Sequence, residues 1–375
     1  MCAFCVATTF EPEPSIKPDR FAGACHYYEY LTDDARLTLA NIEDAVIHGA
    51  VALNYTRASK AVIEGGRLTG FEVEGTLPNE TLGATIKAKQ VINAAGPWVD
   101  ALRQLEDDQA DKRLILTKGI HACVPQSRLP LNHTVTMRGP DGRNVFVVPK
   151  GEIVYFGTTD TFYATADYWP TIDFADIAYL LESGNDTFGG PPLTPDDICG
   201  LWSGVRPLLG QEGKAPSDIS RKDEILDGPH GMISIAGGKL TAYRKMAARL
   251  ADQIAERLQL TVDTPATDTL PLPGGEIDDL AQLETSLQQR FDLTAAQASR
   301  LATAYGANAA AVLEGAGDTT FSPADEARYA VTQEGAQRLE DWWVRRSGRA
   351  WYDLDGGLGA LESAADAMAQ ILCWD

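Results

Sequence analysis

Basic residues are in short supply. The chain has 32 lysines and arginines against 53 aspartates and glutamates, a net charge of −21 and an isoelectric point near 4.6. That balance disfavours nucleic acid as a partner, and none is expected; it equally disfavours simple electrostatic docking on anionic lipid. Long apolar runs are missing too, and no stretch reaches the length of a bilayer-spanning helix. The opening MCAFCVATTF has no basic segment ahead of an apolar one, so the expected location is cytoplasmic rather than secreted. Histidine is scarce, with five copies and none at metal-ligand spacing. Of six cysteines only Cys2 and Cys5 form a C-x-x-C, and a zinc site would need a second such pair. Reduced thiols and no metal are expected. No internal repeat is present.

What remains is an ordinary globular composition, 44% hydrophobic and 23% charged, over 375 residues, which is enough for two or three domains. Pro12, Pro14 and Pro18 make residues 1–20 an expected irregular segment. Tyr27–Tyr30 reads as a short strand. Asp33 or Asp34 caps a helix with Ala35, Leu39, Ile42 and Val46 on one face, ending near Gly49. Period-two patterning then predicts strands over Val51–Thr56, Lys60–Ile63, Leu68–Glu74 and Ala84–Lys87, with Gly65-Gly66 as a hairpin turn. Further strands are expected at Gln90–Ala94, Leu114–Val124, Asn144–Val148, Ile153–Gly157 and Leu201–Val205, and a helix at Ile172–Leu181. A linker rich in proline and glycine, Thr264–Gly275, precedes an alanine-rich helical stretch from Ile277 to the end. The expected division is an irregular start over 1–20, a mixed α/β body over 21–263 and a helical domain over 276–375.

The most informative stretch is SIAGGKLTAYRKMA, Ser234 to Ala247. An apolar segment runs into Gly237 and Gly238, and a helix is expected at once, with Leu240, Tyr243, Ala247, Leu250, Ile254 and Leu258 on one buried face. The backbone N–H groups of Lys239, Leu240 and Thr241 would point outward, where the helix dipole and the lysine charge suit a delocalised anion such as a phosphate. The alternative is a tight strand-to-helix turn carrying a surface lysine. A phosphate loop is excluded, because the first glycine of G-x-x-x-x-G-K-[ST] is absent and Leu240 follows the lysine.

Four other places could carry chemistry. In VINAAGPWVD, Val91 to Asp100, a strand stops at Ala94, Ala95 and Gly96, small enough for a planar ligand to lie on the backbone. In TKGIHACVP, Thr117 to Pro125, His121 faces opposite to Ile120 and Ala122 and is either a satisfied structural residue or a working one. FGTTDT, Phe156 to Thr161, is a hydroxyl-rich strand end with Thr159 and Asp160. In SGVRPLLG, Ser203 to Gly210, Arg206 is placed to pair with a carboxylate or to grip an anion bidentately.

Taken in order, YYEYLTDDARL, VINAAGPWVD, TKGIH, FGTTDT, SGVRPLL, PSDISRKDEI and SIAGGKLTAYRKMA resemble the FAD-dependent glycerol-3-phosphate dehydrogenases over roughly residues 20 to 260. The tail EARYAVTQEGAQRLEDWWVRRSGRAW is similar to the C-terminal cap of that family. The resemblance implies an α+β / α/β fold: a glycine-oxidase-like FAD-binding domain, an antiparallel substrate sheet and a helical C-terminal domain. It also exposes a departure. The family opens on a strand, a G-x-G-x-x-G loop and a helix that hold the FAD pyrophosphate, and no such run occurs here. The FAD-binding domain is therefore expected to be N-terminally incomplete, with no provider in these residues for the adenine, ribose and pyrophosphate contacts.

The implied reaction oxidises sn-glycerol 3-phosphate to dihydroxyacetone phosphate, with hydride passing to flavin N5 and electrons going on to a membrane quinone in glycerol metabolism. The resemblance gives Arg206 the substrate phosphate, with Lys239 beside it near the flavin edge. It gives His121 the hydroxyl proton, as a base with a pKa near neutrality. Ala95, Gly96, Gly237, Gly238, Lys239, Leu240 and Thr241 are the expected FAD contacts, and His121, Arg206 and Lys239 the substrate contacts. Peripheral attachment to the inner face of the membrane and a homodimer are the expected associations. Two other readings stay open: a catalytically silent remnant acting as a binding partner, and another flavin oxidase acting on an amine or amino acid. The chain alone is expected to bind FAD weakly.

Overall fold

The computed structural model describes residues 2–5, 13–21, 23–78, 83–210, 222–262, 267–314 and 321–374. Strand β1 (Cys2–Cys5) pairs antiparallel with β2 (Gly23–His26), so the segment expected to be irregular over 1–20 opens with a strand. A two-strand ladder is made by backbone alone, and Pro14 and Pro18 fall in the connection between its strands. The strand expected at Tyr27–Tyr30 falls earlier, at β2, and Tyr28 and Tyr30 stand exposed. Helix α1 (Asp34–Ile47) starts where expected: Asp33 accepts the Arg36 N–H at 3.1 Å. Its apolar stripe is present, yet no residue of α1 is buried.

Strands β3 (Thr56–Glu64), β4 (Arg67–Gly75) and β5 (Gly83–Lys87) form an antiparallel sheet. Gly65 and Gly66 make the β3–β4 turn at φ of 59° and 80°, a conformation other residues adopt at a cost. The strand expected over Val51–Thr56 is exposed loop until Thr56, because Val51 and Leu53 meet no facing surface. Of Gln90–Ala94 only β6 (Ile92–Asn93) is strand; a 3-10 turn at Gly96–Trp98 and helix α2 (Val99–Glu106) follow.

The main sheet contains β7 (Leu114–Pro125), β8 (Val135–Arg138), β9 (Asn144–Lys150), β10 (Ile153–Gly157) and β11 (Thr161–Phe162), then helix α3 (Phe174–Thr187) and β12 (Gly200–Leu209). Strand β7 is its spine, flanked by β10 and β11 on one side and by β12 on the other, all antiparallel. Alternate residues serve different faces. Ile120, Ala122 and Val124 of β7 join Val145, Val147, Val154 and Phe156 in a core closed by Leu180 and Leu181 of α3. Arg206 and Pro207 lie inside β12 rather than after it. Among the described residues β12 ladders to β7 alone, so it is an edge strand, where proline is tolerated.

Strands β13 (Asp223–Asp227) and β14 (Ile233–Gly237) are antiparallel, and β6 runs parallel to β14 with Ile92 opposite Ile233. Helix α4 (Tyr243–Leu258) does not begin at Lys239: a 3-10 turn over Leu240–Ala242 intervenes. Its expected face is also largely open. Leu250 is buried, but Leu240 is 49% and Tyr243 36% exposed. The rest is helical: α5 (Leu280–Phe291), α6 (Ala295–Tyr305), α7 (Ala309–Glu314), α8 (Pro323–Thr332), a π-helical turn (Asp341–Arg346), α9 (Arg349–Tyr352) and α10 (Leu361–Leu372). Fully buried Glu326 on α8 binds Arg300 of α6 at 2.6 Å and Arg349 of α9 at 2.9 Å, a doubly paired charge that fixes these helices together. Arg36 of α1 reaches Glu334 at 2.7 Å and the Ala304 carbonyl at 2.9 Å, joining body to helices.

Candidate active site

His121 and Arg206 share one face of the main sheet. In the β7–β12 ladder His121 stands opposite Trp202, Gly119 opposite Gly204, and Thr117 opposite Arg206. This is the face away from Ile120 and Ala122, as the alternation of β7 predicts. Against it closes a cavity of about 390 Å³, whose other walls are the start of α1 and the helical region from Val344 to Tyr352.

Two glycines make room for the two functional side chains. A Cβ on Gly119 would lie 2.1 Å from an Arg206 terminal nitrogen, and one on Gly157 would lie 2.3 Å from His121 Cδ2. Arg206 therefore rests on bare backbone. Its guanidinium donates to Thr158 Oγ1 at 2.8 Å and the Thr159 carbonyl at 3.3 Å, and stands 3.5 Å from Asp160 Oδ1. The FGTTDT strand end thus holds the arginine, a task its sequence alone does not reveal. Thr159 Oγ1 also accepts the Ile120 N–H at 3.0 Å, tying β7 to the same corner.

Burial, then the nearby Arg206 charge, pushes the His121 pKa down to about 4. This corrects the expectation of a base tuned near neutrality. The imidazole is neutral at physiological pH and able to accept a proton, but burial and the Arg206 charge make it a weaker base than expected.

The expected cofactor residues cluster at the other end of the parallel pair. Strands β6 and β14 run side by side in the same direction, so the turns after them, Ala94–Gly96 and Gly238–Thr241, leave from one edge. Asn93 organises the first turn. Its buried amide donates to the Val99 carbonyl at 2.9 Å, and its Oδ1 accepts the Ala95 N–H at 3.2 Å. Gly96 has φ of +54°, and nothing lies within 4 Å of where its Cβ would stand. Lys239, Leu240 and Thr241 are exposed at the start of the turn that leads into α4.

Gly237 and Gly238 act differently from expectation. Their Cβ positions are filled by protein, the Lys222 carbonyl at 2.5 Å and Met246 Sδ at 2.6 Å, and their φ values are +77° and +91°. They are required by the turn and its packing rather than to clear space for a ligand. Nor does Lys239 line the cavity with Arg206 and His121, as was expected; among the described residues the walls are those of β7, β12, α1 and the helical region. The PSDISR run, 216–221, lies outside the described residues.

Sequence reasoning missed Trp202, Trp351 and Tyr352, which line the cavity beside His121. Trp202 was legible as a period-two neighbour of Arg206. Trp351 and Tyr352 come from a distant helix and carry no local signal.

Comparison with known proteins gives this geometry a context. The family model for FAD dependent oxidoreductases matches residues 7–244, and the model for the C-terminal domain of alpha-glycerophosphate oxidase matches 265–375. The aerobic glycerol-3-phosphate dehydrogenase of Staphylococcus saprophyticus is 37% identical over 383 aligned positions, which span 97% of this chain and 68% of that one. A Staphylococcus aureus enzyme of the same name matches at 37% with the same spans. The chain belongs to the FAD-dependent glycerol-3-phosphate dehydrogenases. A solved member of this family, the glycerol-3-phosphate dehydrogenase from Bacillus halodurans complexed with FAD, superposes with a TM-score of 0.87 at 34% identity. The match covers all of this chain and 76% of that structure. The dehydrogenase fold, an oxidoreductase body followed by a helical C-terminal domain, is the one expected from sequence.

Proposed function

We propose that the chain binds sn-glycerol 3-phosphate in the cavity between the main sheet and the helical region and oxidises it to dihydroxyacetone phosphate. The observation that carries this reading is a single cavity with a fixed cation and a neutral imidazole on one sheet face. Arg206 takes the phosphate, for which a planar guanidinium offers two parallel donors. His121 accepts the proton of the C2 hydroxyl. Binding a phosphate dianion at Arg206 offsets the charge that helps depress His121, so substrate raises the imidazole toward the range of an effective base. Thr158, Thr159 and Asp160 hold Arg206 in place.

FAD fits the edge where β6 and β14 end: Gly96 leaves open space over its backbone, and the Lys239–Thr241 turn presents a cation at a helical N-terminus. Ala95, Gly96, Lys239, Leu240 and Thr241 are the residues that would hold it. Bound FAD supplies the acceptor for the C2 hydrogen and its two electrons. The onward acceptor is a quinone reached by peripheral contact with a membrane, in glycerol catabolism; the family relationship supports this step. Residues 21–263 are the oxidoreductase body in this reading, and 276–375 the domain that closes the substrate cavity.

The test is product formation by the FAD-loaded chain with glycerol 3-phosphate and a quinone analogue. Dihydroxyacetone phosphate should form, and at substrate concentrations well below the native KM Arg206→Ala should abolish most of it. Equal turnover of glycerol and glycerol 3-phosphate, or preferential oxidation of an amine, would overturn the assignment.

A further inference from the structure

The His121 ring is fixed from two neighbouring strands. Trp202 faces it directly across the β7–β12 ladder, and the rings stack with centroids 5.0 Å apart and planes 16° apart. On the other side Gly157 is its ladder partner. The imidazole lies over that bare backbone, so closely that a Cβ would stand 2.8 Å from Nε2. Trp202 is itself backed by the helical region. Trp351 is 5.5 Å from it, and Tyr352 meets it edge-on at 6.0 Å with planes 81° apart. An aromatic file therefore runs from the helical domain to the imidazole.

We propose that Trp202 is a positioning residue for His121: the stacked indole sets the plane of the imidazole so that its free edge meets the substrate hydroxyl. The proposal rests on His121 being the base. A residue that only filled the cavity wall would not need to be flat or parallel to the ring it touches. Proton transfer does need this, since the acceptor lone pair must point at the hydroxyl within hydrogen-bond reach. The stack also keeps water from one ring face, which agrees with the burial-driven fall in its pKa. Other charged and titratable groups face the same space. Arg206 comes from β12 and Tyr155 from β10, while Asp33 and Asp34 stand at the start of α1. Arg345, Arg346 and Tyr352 face it from the helical region.

The experiment is an NMR titration of the histidine ring signals in the full chain, with His121→Asn used to assign the His121 resonance among five. Trp202→Leu removes the aromatic ring; Trp202→Phe keeps a smaller one. In the native protein the His121 signal should carry a ring-current shift and titrate well below the other histidines. In Trp202→Leu that shift should vanish and the midpoint should rise by about one unit or more, toward the ordinary value near 6.5. Trp202→Phe should restore most of both. With FAD supplied, Trp202→Leu should lower kcat on the order of tenfold while KM stays within about twofold, the pattern of a lost transition-state alignment. An unchanged shift and midpoint in Trp202→Leu would overturn the proposal, as would a KM effect with kcat intact. Should Trp202→Leu fail to fold, Trp202→Phe against Trp202→Met makes the same comparison with smaller changes. Full activity in His121→Asn would instead overturn the base assignment, and would leave the measured stack standing.

Discussion

The proposed substrate face lies within two long paired strands and is closed, whereas the proposed cofactor edge lies at the ends of two short ones and is open. On the β7–β12 face, His121 and Arg206 rest on glycine backbone, Arg206 donates to the Thr158 hydroxyl and the Thr159 carbonyl, and helices from the other end of the chain cover both. At the β6–β14 edge, Ile92, Leu240 and Tyr243 stand more than a third exposed, and Lys239 reaches solvent. The contrast separates two tasks. Recognition of a small phosphate needs enclosure and a fixed cation, because charge-assisted bonds strengthen away from water. Holding one edge of a large planar cofactor needs little more than a bare turn with outward N–H groups.

If the comparison is right, damage on the closed face should cost far more than damage at the open edge. His121→Asn should lower kcat by about 10²–10⁴-fold, the range of a lost general base, with a small change in KM. Steady-state kinetics with the FAD-loaded chain read both terms. Arg206→Ala should lower kcat/KM by about 2–4 kcal/mol, mostly through KM, and leave glycerol turnover unaffected. Isothermal titration with glycerol 3-phosphate checks the binding share of that loss.

Charge offers a sharper probe. Arg206 is one of two causes holding the His121 pKa down to about 4, the larger being burial. Arg206→Gln should therefore move the His121 titration upward but not fully to its ordinary value. NMR reads this without interference from titration of the substrate phosphate. An unmoved titration would show that Arg206 is not one of the groups depressing it.

At the open edge the effects should be smaller. Gly96→Ala puts a side chain at φ of +54°. That costs on the order of 1 kcal/mol in backbone strain and intrudes on the space assigned to FAD, so cofactor affinity should fall about tenfold or less by fluorescence titration. Lys239→Ala should weaken FAD by a few-fold only, since an exposed charge contributes little.

Much of this organisation was legible in the residues. Alternation along β7 put His121 opposite to Ile120, the Gly65-Gly66 pair marked its hairpin, and Asp33 marked the start of α1. Legibility ended where the outcome depended on partners distant in sequence. Leu240 and Tyr243 have helical spacing, but burial needs a facing surface, which periodicity does not report. Gly237 and Gly238 are expected FAD contacts by resemblance, yet Lys222 and Met246 fill the space a Cβ would take at each. The hold of Thr158 and Thr159 on Arg206 and the stack of Trp202 on His121 arise from strand register, which no local motif encodes.

The central claim is that one cavity orients the substrate between Arg206 and His121. Electron density for dihydroxyacetone phosphate bound to the chain tests it most directly. The account predicts phosphate oxygens within hydrogen-bond reach of the Arg206 guanidinium and the C2 oxygen within reach of a His121 ring nitrogen. Phosphate density at the Lys239 turn, with the cavity left to solvent, would contradict it.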